Sequence, residues 1–344
     1  MELRAVLVGC GLMSRRWLEA AAGIEGLTIA GLVDLDVSRA RSRADEFGMT
    51  GSVVGSDLGA VLSATKPQLV FDIVVPDARF DVVQTAFGHG CHVLSEKPMA
   101  NSLAHAQALV RAARETGCIH SVVQNRRYVE GVRRMQAFAA SGAIGAVTSL
   151  HSDFFLAPHF GGFRETMENV LLLDMAIHTF DAARYIVGTS PQAVYCHETN
   201  PRGSWYAHGA SAYAIFEFAG DVTYTYRGSW CAQGQRTSWE SAWRIIGERG
   251  TLSWDGHGAF LAQRETGTSG LLRDAEEIPV PELDPNTRIG GHEGVMRDFI
   301  EAVRTGSAPE TVGSENIKSL AMVVAAIESA KTRERVLVRS QEIS

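Results

Sequence analysis

Short apolar runs alternating with amphipathic segments constrain the first third of this chain more than any other feature. The runs lie at residues 3–8, 28–33, 69–75, 92–95 and 119–123 and are rich in valine, isoleucine and leucine. Segments of helical periodicity near 12–22, 37–47, 57–64, 79–88 and 102–116 separate them. A strand that is apolar on both faces must be covered on both, which points to a parallel sheet built from strand–helix–strand units. Right-handed crossovers then give an α/β, doubly wound sheet.

Past residue 124 the pattern changes. Helical segments are expected near 130–141 and 168–187, with a strand at 146–156 between them. Alternating, aromatic-rich stretches follow at 192–199, 209–218, 221–231, 241–247 and 251–254. The stretches on either side of Ala219-Gly220-Asp221 read as a hairpin. This is an α+β domain with a mainly antiparallel sheet, helices covering one face. Two late helices, near 292–305 and 314–330, and a strand at 336–338 complete the chain, while 264–291 reads as a polar loop. The expected division is 1–124 and 125–344, with the last helix and strand packing back on the first domain.

A chain of 344 residues is long enough for about two cores. A net charge of −7 without any long basic run argues against nucleic acid as a partner. The five cysteines are scattered and form no C-x-x-C pair, which argues against a disulfide framework or a zinc site and for a reducing compartment. The first strand begins within three residues of Met1, leaving no room for a signal peptide, and no run reaches the roughly 20 apolar residues of a membrane span. A cytoplasmic protein with no membrane partner and no metal is the expectation.

Gly9-x-Gly11-x-x-Ser14 joins the first strand to the first helix. Glycine at 9 permits a tight turn, and glycine at 11 lets backbone approach a pyrophosphate. The helix N–H groups near Leu12, Met13 and Ser14 then face the phosphates. Asp34 ends the second strand, where a carboxylate accepts hydrogen bonds from the adenosine ribose and repels a 2′-phosphate. Leu35 follows it, so NAD is predicted over NADP, with Arg39 and Arg41 softening the choice.

With these residues, the run His92-Val93-Leu94-Ser95-Glu96-Lys97-Pro98 and the segment Leu172-Leu173-Asp174-Met175-Ala176-Ile177-His178-Thr179-Phe180-Asp181, the chain resembles the glucose–fructose oxidoreductase / inositol dehydrogenase / rhizopine catabolism family. The resemblance covers nearly the whole chain. It implies an N-terminal Rossmann domain, a C-terminal domain whose large open sheet often forms the oligomer interface, and NAD(P)-dependent chemistry on sugars and cyclic polyols. Two departures stand out. Phe80 occupies a place where the family often has histidine, and Glu168-Asn169-Val170 replaces a glycine-rich stretch.

An alcohol dehydrogenase needs a base for the hydroxyl proton and a cation beside the developing alkoxide. Lys97 follows the fifth strand run at the carboxyl edge of the sheet, where ligands bind, and Pro98 fixes its turn. Asp174 and His178 are spaced i, i+4 and share a helix face. The resemblance implies His178 as the acid/base, Asp174 as the substrate-orienting carboxylate, and Val75 and Pro76 along the nucleotide. Glu96 is expected on the nicotinamide-side ribose or fixing Lys97. Arg127 matches a family arginine near the substrate, with an ion pair as its alternative. Asp153, with His151 and Phe155, alternates onto one strand face and is expected to line the substrate pocket. Three functions fit: a dehydrogenase of a sugar or inositol-like polyol, an NAD-dependent glycosidase with transient sugar oxidation, and a non-catalytic NAD-binding sensor. A homodimer or homotetramer is expected from the bare sheet.

Overall fold

A computed structural model describes residues 2–267 and 270–340. The chain forms two compact units, one from Met1–Asn125 with Arg288–Ile317, the other from Arg126–Thr287 with Lys318–Ser344.

In the first unit the chain runs β1 (Leu3–Val8), α1 (Leu12–Ala22), β2 (Leu27–Val33), α2 (Val37–Glu46), β3 (Val53–Gly55), α3 (Leu58–Thr65), β4 (Leu69–Asp72), α4 (Pro76–Gly88), β5 (His92–Ser95), α5 (Leu103–Thr116) and β6 (His120–Val122). All six strands are parallel, in the order β3-β2-β1-β4-β5-β6. The strand order reverses beside β1, so the loops after β1 and β4 part at the carboxyl edge and leave a crevice there. β4 ends at Asp72, three residues short of the apolar run, because Pro76 has its φ preset for a first helical position and opens α4. β3 has only three residues and carries no periodicity that sequence could show.

The second unit has α6 (Glu130–Ala140), β7 (Val147–Phe155), α7 (Phe163–Thr166), α8 (Ile177–Val187), β8 (Pro191–Thr199), β9 (Ser211–Phe218), β10 (Thr223–Ser229), β11 (Ala242–Gly247), β12 (Gly250–Trp254), β13 (Phe260–Glu265) and β14 (Ala275–Ile278). The late elements are α9 (His292–Thr305), which falls in the first unit, α10 (Gly313–Thr332), and β15 (Val336–Leu337), which pairs with β8 in the second sheet. Nine strands line up as β14-β13-β12-β11-β7-β10-β9-β8-β15. Every pair is antiparallel except β7 with β10. The polar stretch read as a loop therefore carries β14, whose four residues are mostly exposed and show no apolar alternation.

One face of this sheet is buried under α8. Phe180 lies 4.8 Å from the Phe216 ring, 5.2 Å from Tyr226 and 6.3 Å from Tyr224. Leu150, Ser152 and Phe154 of β7 share that face through their register with Tyr224 and Tyr226. The opposite face carries His151, Asp153, Tyr195, Tyr213, Ile215 and Arg227 around a shallow concavity of about 1020 Å³. On the α8-covered face, Gly131 of α6 lies against Trp254, whose ring atoms would collide with any added Cβ. Gly131→Ala should therefore destabilise the protein by about 1–3 kcal/mol through overpacking. Denaturant unfolding of the variant beside the parent checks this.

Candidate active site

The nucleotide loop is shaped by steric exclusion. Gly9 has φ +93°, and a Cβ there would stand 2.8 Å from the Ile73 carbonyl atoms. Gly11 has an ordinary φ of −70° and is the N-cap of α1. A Cβ on Gly11 would meet no protein atom within 4 Å, so neither backbone strain nor packing demands glycine there. Ser14 fills the third position of the motif; it is buried, and its hydroxyl donates to the Gly11 carbonyl at 2.6 Å. The Arg43 guanidinium also reaches that carbonyl, at 3.1 Å.

Asp34 is locked in place by backbone. Its two oxygens accept the Cys10 N–H at 2.8 Å and the Asp36 N–H at 2.9 Å, and Arg39 stands 3.9 Å away. Burial, reinforced by the Asp34 carboxylate, pushes the Cys10 thiol up to about 12, so it is a neutral packing group. Leu12 and Leu35 stand almost fully exposed on either side of the loop, Met13 and Val75 partly so.

Glu96 and Lys97 follow β5 at the same edge. One Glu96 oxygen accepts the Lys97 N–H at 3.1 Å; the other accepts the Trp17 indole N–H at 2.9 Å and lies 3.6 Å from the His292 ring. Burial alone would raise the Glu96 carboxyl. The His292 hydrogen bond and charge, the Trp17 indole and the Lys97 charge outweigh it and bring the carboxyl to about 2. Asn125 meets the other His292 nitrogen at 3.1 Å. Of the two expected roles for Glu96, the geometry displays the second: it fixes the Lys97 backbone.

Sequence gave no sign of the group beneath this turn. Arg79 is 1% exposed, and its guanidinium is spent entirely inside the fold. It donates to Asp72 at 2.8 Å, to the Val74 carbonyl at 2.6 Å and to the Pro98 carbonyl. Burial raises the Asp72 carboxyl, and the Arg79 charge opposes that. The Lys97–Pro98 peptide bond is cis. Phe80, in place of the family histidine, stacks on His105 with ring centroids 4.6 Å apart.

These features fit a dinucleotide. Glycine at 11 is unexplained by the protein's own atoms. Gln124, just past β6 on the same edge, is fully buried with both amide atoms unpartnered among the described residues.

In the second unit Asp174 lies in a π-helical turn, Leu171–Ala176, that runs directly into α8. The wider turn replaces the α-helix expected throughout; such turns are frequent at functional sites. Asp174 accepts from Arg164 Nε at 2.7 Å, and His178 is buried on α8. Asn169 supplies the left-handed conformation, φ +49°, that a glycine would otherwise provide, and donates to Glu198 at 2.5 Å.

Arg127 is committed elsewhere. Its Nε and Nη2 grip Asp181 at 2.7 and 2.8 Å in a buried bidentate pair, which Ser319 completes at 2.6 Å. Asp153 lies on the uncovered face of the second sheet. The alternation of His151, Asp153 and Phe155 holds, but they lie on the sheet face opposite α8, away from Asp174 and His178, and Asp153 is paired with Arg227 at 2.7 and 2.5 Å. Alternation fixes which residues share a face and not which face is covered.

The fold and the loop define an oxidoreductase with an NAD-binding Rossmann domain. Residues 3–124 match the family model described as an oxidoreductase family with an NAD-binding Rossmann fold, and residues 132–253 match the GFO/IDH/MocA C-terminal domain. The chain belongs to the GFO/IDH/MocA family. It is 27% identical to a D-apiose dehydrogenase of Paraburkholderia graminis over 99% of this chain and 91% of that one. A 1,5-anhydro-D-fructose reductase of Ensifer adhaerens is 25% identical over 95% and 96%. An oxidoreductase from Agrobacterium radiobacter, solved in complex with NAD+, L-tartaric acid and magnesium, superposes with a TM-score of 0.84 at 23% identity, covering 98% of this chain and 99% of that one, and speaks to the fold alone.

Two outcomes follow for the first unit. Glu96, with its carboxyl held below the ordinary value, contributes stability that is complete above about pH 4.5 and is lost as the pH falls toward 2. The stability gap between parent and Glu96→Gln should shrink over that window in unfolding titrations. Arg79→Met leaves Asp72 buried without its partner and should cost about 3–5 kcal/mol, read by thermal unfolding.

Proposed function

We propose that this protein is an NAD-dependent oxidoreductase that moves a hydride between the nicotinamide and a carbinol carbon of a sugar or cyclic polyol, with NADP as the lesser cofactor. The turn at Gly9 and Gly11 and the N–H groups of Leu12 and Met13 receive the pyrophosphate, and Asp34 receives the adenosine ribose. Val75 and Pro76 lie along the nucleotide. When bound, NAD supplies the hydride acceptor.

The chain's own residues handle the proton and the charge. His178 takes the hydroxyl proton as the carbon gives up its hydride, and the carbonyl product results. The Lys97 ammonium offsets the charge that builds on the oxygen. Glu96 serves by holding Lys97, and Asp174 accepts a hydrogen bond from a neighbouring hydroxyl and so fixes which carbon reacts. Arg127 has no part in this reading, since Asp181 holds it in a buried pair, and Asp153 has none, since it lies on the sheet face opposite α8. The observation that carries the proposal is the immobilised turn at Lys97, tied from one side by Glu96 and from below by Arg79. The names of the two curated relatives, one a sugar dehydrogenase and the other a sugar-derivative reductase, support the substrate class.

Lys97→Ala and His178→Ala should each lower kcat by about 10²–10⁴-fold while leaving NAD binding and the unfolding transition in place. Reduced-nicotinamide absorbance with a panel of monosaccharides, inositols and sugar acids is the measurement, and undiminished turnover in both variants would overturn the assignment. Asp34→Ser should raise the ratio of NADP to NAD use by about tenfold or more, because a like-charge clash is removed.

The reading includes a homodimer or homotetramer formed through the open sheet face, where Tyr195, Tyr213, Ile215 and Leu261 are exposed. Sedimentation should show a dimer or tetramer that Ile215→Glu weakens; a monomeric parent protein would reject it.

A further inference from the structure

The loop between β7 and the π-helical turn is unusual in what it leaves outside the core. Phe160 is 46% exposed and Phe163 62%, and Trp239, on the turn before β11, is 46% exposed. Trp230, just past β10, and Trp243 on β11 are buried, so of these three Trp239 is the indole left available. The exposed rings are not scattered. Phe160 lies 6.3 Å from Trp239 and 5.4 Å from Trp230, and the Arg164 guanidinium stands 5.1 Å over Phe160 and 4.8 Å over Phe163. The same Arg164 holds Asp174 at 2.7 Å. The aromatic surface is therefore joined to Asp174 through one side chain.

The loop is fastened, which makes the surface a platform. At its start Leu156 donates to the Ser229 carbonyl at 3.0 Å and accepts from Ala232 at 3.1 Å. The Pro158 carbonyl accepts the Tyr206 hydroxyl at 2.9 Å and the Trp205 indole at 3.3 Å. His159 stacks on Trp205 with centroids 3.7 Å apart, and Ala207 donates to the Glu165 carbonyl at 2.7 Å. A loop held at both ends that still exposes two large aromatics beside a third, Trp239, has placed them for something outside the chain. Aromatic faces beside an arginine and a carboxylate suit one ligand chemistry well. The C–H face of a pyranose lies on the rings, and its hydroxyls reach the polar pair.

We propose that Phe160, Phe163 and Trp239, with Arg164, form a second sugar subsite adjoining Asp174, and that the preferred substrate is a glycoside of two or more rings. The reacting ring lies at Asp174 and His178, and the next ring stacks on the aromatics. This rests on the sugar-oxidoreductase reading above and narrows it from free sugars to glycosides.

Matched pairs test it: glucose with cellobiose and with phenyl glucoside, galactose with lactose, xylose with xylobiose. Each is titrated calorimetrically against the NAD-loaded protein and assayed for reduced nicotinamide. For at least one pair the disaccharide should bind and turn over about tenfold better than the monosaccharide, and Phe160→Ala and Trp239→Ala should erase that advantage while changing the monosaccharide by less than about twofold. Phenyl glucoside matching phenyl-free cellobiose in the parent protein, with the same loss in the variants, would assign the subsite to any flat or ring-shaped aglycone and overturn its restriction to sugars. Equal kcat/KM within every pair would overturn the subsite and leave the dehydrogenase reading standing. Absence of both binding and turnover with every compound, and with the inositols and sugar acids of the earlier panel, would overturn the two together.

Discussion

The buried pair between Asp72 and Arg79 holds the first unit's functional edge in register. A fully buried guanidinium must satisfy its donors inside the fold. Here it does so on Asp72 at the end of β4, on the Val74 carbonyl at the entry to α4, and on the Pro98 carbonyl of the next strand's turn. One side chain thus ties together the loops that follow β4 and β5 at the carboxyl edge. Above it, Glu96 makes a second clamp on the same turn and draws on Trp17 of α1 and His292 of α9. Lys97 therefore follows a segment whose backbone is fixed from two directions.

Much of this architecture was legible in the sequence. The alternation of apolar runs with helical segments carried the doubly wound sheet, because strands buried on both faces leave an unbroken apolar signature. Gly9 was legible for the reason the structure gives, a left-handed φ and a carbonyl 2.8 Å from any Cβ. At Gly11 the fold itself makes no demand for glycine, since a Cβ there meets no atom within 4 Å. What sequence did not disclose was partnership. Arg79 looked like one more helix residue after a proline, and nothing in its spacing marks it as buried. His292 lies almost 200 residues from Glu96, and no local pattern connects them. The face on which Asp153 lies was hidden for a related reason: period two sorts residues into faces, whereas the covering of one face by α8 is a tertiary fact.

The second unit shows how local rules bend around a site. The stretch ahead of Asp174 keeps a left-handed residue by using Asn169 where the family uses glycine, and the amide side chain is then employed on Glu198. Arg127 illustrates the opposite case, a residue whose position matches a family role while its Nε and Nη2 donors are held by Asp181. Position alone transfers poorly; what a group has left to offer decides its chemistry.

The discontinuity of the first unit has a consequence for how the protein is made. The ribosome delivers β1 through β6 first, yet α9, which supplies the His292 contact to Glu96 and anchors Arg297 and Arg304 on the Gly23 and Glu25 carbonyls, emerges only after the whole nine-stranded sheet but its final strand. The nascent nucleotide fold must therefore persist with an open seam beside α1 throughout synthesis of the intervening 162 residues, Arg126–Thr287. During that interval the apolar flank that α9 covers is available to a chaperone or to another nascent chain. The order of synthesis makes closure of this seam a late folding event, and a chain cut short between Arg288 and Ile317 would be incomplete in both units at once.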